Sequence, residues 1–137
     1  MVVYTNLLLS EVASYIFNNL IPHITVGTGD EPITLQSTDL ESPVQIGASD
    51  RNKAREASES SVSDNFFILK FKLTATEPNS LPVNLQEFGI QEGINESTQL
   101  KAAHILNAAS TKDNTSQWVI RFSGRVVESS PDNSCSG

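Results

Sequence analysis

Few residues in this chain have types that do acid–base or metal chemistry, and their spacing does not gather them. There are two histidines, His23 and His104. A zinc site draws three or four His, Cys or carboxylate ligands at close spacing. Neither histidine has such a partner two or four residues on. Cys135 is the single cysteine and sits in a polar tail, so it forms no internal disulfide and reads as a free thiol. Serines and aspartates are plentiful, but no Gly-x-Ser-x-Gly elbow marks a nucleophile. Glycoside hydrolysis needs paired carboxylates. Most carboxylates here lie in hydrophilic stretches, where a solvated charge is their ordinary role. Glu87 is the exception, set between Leu85 and Phe88 in a strand-like run. Its expected task is structural, accepting backbone N–H bonds at a bulge. Gly27-Thr28-Gly29 lacks the third glycine of a dinucleotide fold and the Gly-Lys-Ser/Thr of a phosphate loop. Asp30 and Glu31 beside it do not match a calcium-loop spacing and would repel phosphate. The two glycines are expected to give a sharp bend and positive φ angles. Trp118 and Phe66 could stack a sugar, but the strand patterns around them place both in a core. The residues therefore assign no catalytic group, no metal site and no cofactor.

The elements that must position these residues begin with a helix. Leu9, Val12, Ala13, Ile16, Phe17 and Leu20 recur at helical spacing and form one apolar stripe. Thr5 or Asn6 can cap its start, and Pro22 ends it. The stripe is expected to pack on the chain's own sheet. The alternative is docking on a neighbouring subunit, with Leu9, Val12, Ile16, Phe17 and Leu20 as the assembly interface. His23 to Val26 reads as a short strand, followed by a dense turn signal to Pro32. Thr38-Asp39-Leu40-Glu41 matches a capping box and predicts a brief helical turn. From 48 to 64 the chain is rich in small and charged residues and reads as an exposed loop.

Phe67 to Ala75 alternates apolar and polar side chains, the pattern of a strand with one wet face. Val83 to Ile90 reads as a second strand with a bulge near Glu87-Phe88-Gly89. Leu100 to Leu106 is a third, Ala108 to Ser116 a polar turn region, and Trp118 to Val127 the last strand. Short strands parted by turn signals, without helices between them, point to a mainly β fold: an antiparallel sandwich or barrel with an N-terminal α-helix. The expected division is helix 1–21, β-rich domain 22–127 and polar tail 128–137.

With 137 residues the chain is the size of one modest domain, for which assembly can supply part of the stability. Its net charge of −7 argues against nucleic acid and against an anionic membrane surface. No apolar run is long enough for a bilayer-spanning helix, so no membrane insertion is expected. Met1 to Ser10 lacks the positive region of a secretory signal.

Two motifs occur in a suggestive order. The first is His23-Ile24-Thr25-Val26-Gly27-Thr28-Gly29, followed by Pro32, Asp39 and Leu40. The second is Gln86-Glu87-Phe88-Gly89-Ile90. Together, from about Leu9 to Val127, they resemble a family of small tail-fibre and baseplate proteins of tailed bacteriophages. The 48–64 stretch departs from that pattern. The resemblance implies a structural virion protein at the tail baseplate, connector or fibre-attachment region, made in the host cytoplasm. It implies partners of two kinds: copies of the chain itself, as a trimer or ring, and neighbouring tail proteins. It carries no catalytic residues. A receptor- or carbohydrate-binding module at the tail tip is the alternative, and a small envelope hydrolase is the third possibility.

Overall fold

The computed structural model describes residues 2–95 and 97–128. Cys135 and the polar tail from 129 onward lie outside the described residues. The chain opens with helix α1 (Asn6–Tyr15), which runs on into a π-helical turn, Ile16–Leu20. Thr5 caps the start, its hydroxyl accepting the Leu8 N–H at 3.4 Å. The turn closes with the Ile21 N–H on the Ile16 carbonyl, an i to i+5 bond.

Eight strands follow: β1 (His23–Gly27), β2 (Pro43–Val44), β3 (Lys53–Ala54), β4 (Ser61–Ser63), β5 (Phe66–Leu73), β6 (Val83–Gln91), β7 (Leu100–Lys112) and β8 (Trp118–Arg125). They make two antiparallel sheets. One has the order β2-β1-β6-β7, with β3 also pairing β1. The other has the order β4-β5-β8. The fold is mainly β, with the sandwich-like packing expected; the sheets do not close into a barrel.

The core lies between the sheets. Ile24, Val26, Leu85, Phe88 and Ile90 come from the larger sheet; Leu69, Phe71 and Leu73 come from β5. Each such side chain contributes about 1.5–3 kcal/mol by leaving water. Phe71 meets Phe122 of β8 edge to face, with centroids 6.2 Å apart. Phe17 and Ile21 seal one part of this core. Arg55 fixes that junction, its guanidinium 4.1 Å from the Phe17 ring centroid and donating to the Phe17 carbonyl at 2.9 Å.

Four sequence expectations change in detail. The 48–64 stretch carries two short strands rather than one exposed loop: β3 pairs β1 and β4 pairs β5. Asn52 within it is buried, and Glu59 bridges Lys70 and Lys72 on the wet face of β5, at 2.6 and 3.5 Å. Backbone pairing, which composition does not report, outweighs the polar sequence. β7 continues to Lys112 through residues expected to turn, because Val83, Asn84 and Leu85 pair with Lys112, Thr111 and Ser110. Thr38–Glu41 forms no helical turn. Glu41 instead donates its N–H to Glu87 of β6 and accepts the Asp30 and Glu31 N–H groups on its carboxylate. Finally, no described glycine has a positive φ.

Candidate functional site

Two places concentrate polar geometry or apolar surface. The first is built around Glu87. β6 sets it opposite Gly27 of β1 and Ile105 of β7, at a point where the β6–β7 register shifts. Its side chain is fully buried. Oε2 accepts the N–H groups of Gly29 at 2.9 Å and Ser42 at 2.7 Å, and Oε1 accepts that of Glu41 at 3.0 Å. Glu41 extends the pattern, its Oε1 accepting from Asp30 and Glu31 at 3.1 and 3.3 Å. Two carboxylates thus satisfy five backbone donors of two loops.

The glycines of the first motif are explained by close approach. A Cβ on Gly27 would lie 2.6 Å from the Ser42 carbonyl and 2.9 Å from the Glu87 carboxyl carbon. A Cβ on Gly29 would lie 2.8 Å from Glu87 Oε2 and also meet Glu41. The expected role of Glu87 as an acceptor of backbone N–H bonds is what the structure shows. The clamp leaves no carboxylate pair open to a substrate.

A second polar cluster adjoins the first. Asp39 is ion-paired with Arg51 and accepts from Gln91 Nε2 at 3.4 Å. Gln91 Oε1 accepts from Asn52 Nδ2 at 2.8 Å. Asn95 Oδ1 accepts the Arg51 N–H at 2.7 Å. Asp39 of the first motif therefore ties the start of the 48–64 segment to the end of β6.

The second place is a cleft of about 550 Å³ between the β7 and β8 edges. Phe88, Leu106, Trp118, Ile120 and Phe122 supply its apolar lining, with His104 and Arg121 beside them. β8 projects Trp118, Ile120 and Phe122 to one side by period-2 alternation. Trp118 is half-buried against the core, and Phe66 is half-buried beneath Arg125, 5.6 Å from its ring centroid. His23 lies elsewhere, with Nδ1 3.2 Å from the Glu92 carbonyl. Among the described residues no group of three or more His, Cys, Asp and Glu is placed to hold a metal ion, and no helix is long and apolar enough to cross a membrane.

The helix stripe divides. Phe17 is buried, and Ile16 and Leu20 pack against the chain's own core. Leu9 is half-buried and Val12 is exposed. The exposed apolar surface at this end of the chain comprises Val12 of the stripe together with Val2, Val3, Tyr4, Leu7, Leu8 and Tyr15. Helical spacing missed all of these but Val12, because it selects the face that packs inward. Val2–Tyr4, which precede the helix, carry no periodic signal at all.

No protein-family model matches the chain, and no curated protein matches it.

Proposed function

We propose that this chain is a structural subunit of a tailed-virus particle, at the tail baseplate, connector or fibre-attachment region. It acts by assembling with copies of itself and with neighbouring tail proteins, and it has no catalytic role. The observation that carries this reading is the Glu87 clamp. The two motifs on which the phage resemblance rests are far apart in sequence, yet Glu87 of the second grips Gly29 of the first. Their order and spacing thus have one physical cause, a shared structural unit. The exposed apolar N-terminal surface adds support, since a run of seven large exposed side chains is a common mark of an interface.

Light scattering after size exclusion tests the reading. A closed trimer or ring is expected. A chain that stays monomeric at every concentration and joins no complex with tail proteins would overturn it. Glycan screening of the assembled form addresses the carbohydrate-binding alternative, which rests on Trp118 in the cleft.

A further inference from the structure

Two features of the surface match each other. The first is the cleft at the β7 and β8 edges. Among the described residues β7 pairs only with β6 and β8 only with β5, so both strands face the cleft region with an unpaired edge. The second is the segment before helix α1. Val2 and Val3 are each 69% exposed and Tyr4 is 51% exposed. No backbone hydrogen bond joins Val2, Val3 or Tyr4 to another described residue. The sequence is uncharged from Val2 to Ser10.

Charge separates the two regions as well. Residues 98–127 carry Lys101, Lys112, Arg121 and Arg125 against Asp113, a balance of +3. The rest of the chain then holds −10 of the total of −7. Lys112 is buried, but Lys101, Arg121 and Arg125 are exposed. β7 and β8 thus carry three exposed cations of an acidic molecule, Lys101 standing 3.9 Å from Glu92.

We propose that residues 2–5 of one copy lie as an added strand in the β7–β8 cleft of a second copy, a contact that rests on the assembly reading above. Strand addition would satisfy the backbone groups of the arm and of one sheet edge together. Val2 and Tyr4 would point to one side and Val3 to the other. Val2 and Tyr4 would cover Leu106, Trp118 and Phe122, and Val3 would lie toward Ser123, which alternates with Phe122 along β8. The acidic body of the donor would sit beside these cations of the acceptor, where like copies otherwise repel. In this structure the arm does not occupy the cleft of its own chain: Val2, Val3 and Tyr4 are exposed and none of them lines it, although α1 starts beside Asn65, which is bonded to Val126 just past β8. The contact joins two unlike surfaces, so repetition generates a ring or trimer when the rotation closes.

Cysteine trapping in the full chain tests this, with Cys135→Ser as background. Val3→Cys is placed in one preparation and Ser123→Cys, on the cleft wall, in another. The two are mixed and oxidised, with Ser58→Cys, exposed in the 48–64 segment, as the control partner. The Val3–Ser123 pair is expected to give several-fold more mixed covalent dimer than the Val3–Ser58 pair. Val2→Asp, at an exposed position, should leave the thermal midpoint of the dilute, dissociated chain unchanged and weaken association at least about tenfold, because a charge would enter the apolar cleft. Oligomers that persist in Val2→Asp, with no preference for Ser123, would overturn the arm contact while leaving the assembly reading intact. A native chain monomeric at all concentrations would overturn the contact and self-assembly alike. If the doubly substituted chain forms a disulfide within itself and no covalent dimer, the arm fills its own cleft and the proposal fails.

Discussion

Glu87 shows how one residue can organise a fold without doing chemistry. A buried carboxylate is costly unless its oxygens are filled. Three backbone N–H donors fill them here. Glu87→Gln keeps the shape but turns one acceptor into a donor that faces other donors. It should lower unfolding free energy by about 2–4 kcal/mol, read by urea denaturation. Gly27→Ala should cost a similar amount, roughly 1–3 kcal/mol, because the new methyl meets the backbone of Ser42, which cannot swing aside as a side chain would. A Gly27→Ala variant as stable as the parent would show that the loop relaxes freely. Glu87 was legible in the sequence as a carboxylate in an apolar strand. Its partners were not, since Gly29, Glu41 and Ser42 are brought to it only by the folding of two loops.

At the scale of elements, two ion-bearing contacts hold strand ends together. Lys112, fully buried at the end of β7, donates to the carbonyls of Thr74 at 2.8 Å, Ser116 at 3.0 Å and Asp113 at 3.3 Å. It ties the end of β5 to the β7–β8 turn. Burial holds its ammonium below the usual lysine range, offset in part by the nearby Asp113 and Glu77 carboxylates. Lys112→Met should destabilise by about 2–3 kcal/mol, because three carbonyls lose their donor.

Glu77 meets Lys53 of β3 at 2.7 Å and accepts the Thr74 N–H at 3.0 Å. Burial pushes its carboxyl up, but the hydrogen bonds from Lys53 and Thr74 outweigh it, and the net position is below the ordinary value of 4.5. A carboxyl lowered by folding adds stability above its unfolded value, and that stability is lost as pH falls through the folded value. The parent should therefore lose stability as pH drops below about 4.5. Glu77→Gln should be less stable at pH 7 and should converge with the parent in acid. Urea midpoints at several pH values read this; parallel curves for the two proteins would contradict it. Neither contact could be read from the chain, because each joins segments whose neighbourhood depends on sheet order.

For the whole molecule the governing quantity is the uneven charge, −10 against +3 on the β7–β8 region. Copies that meet acidic side to basic side attract, and salt screens that attraction beyond about 10 Å at 0.1 M. An oligomer of the proposed kind should therefore dissociate more readily as salt rises from about 0.05 to about 0.5 M. Arg121→Glu should weaken it further, both effects being read by sedimentation. Association that tightens with salt would mean that apolar contact alone drives it. The residues 2–4 that supply exposed apolar surface leave no periodic trace, so their exposure emerged only from the packed structure.

The β5, β6 and β8 strands, the N-terminal helix with a cap at Thr5 or Asn6, and the mainly antiparallel fold could be read from the sequence. Those features follow from local period and local capping, which act within a few residues. It also marked Gly27, Gly29 and Glu87 as belonging to motifs. Tertiary structure alone decided that these three meet, that the glycines serve close approach rather than positive φ, and that the 48–64 segment pairs with β1 and β5. It also decided how much of the helical stripe is covered, with Ala13 and Phe17 buried and Val12 left exposed. The reason is the same throughout. Hydrogen bonds and packing between distant segments depend on which strands become neighbours, and no local period encodes that choice.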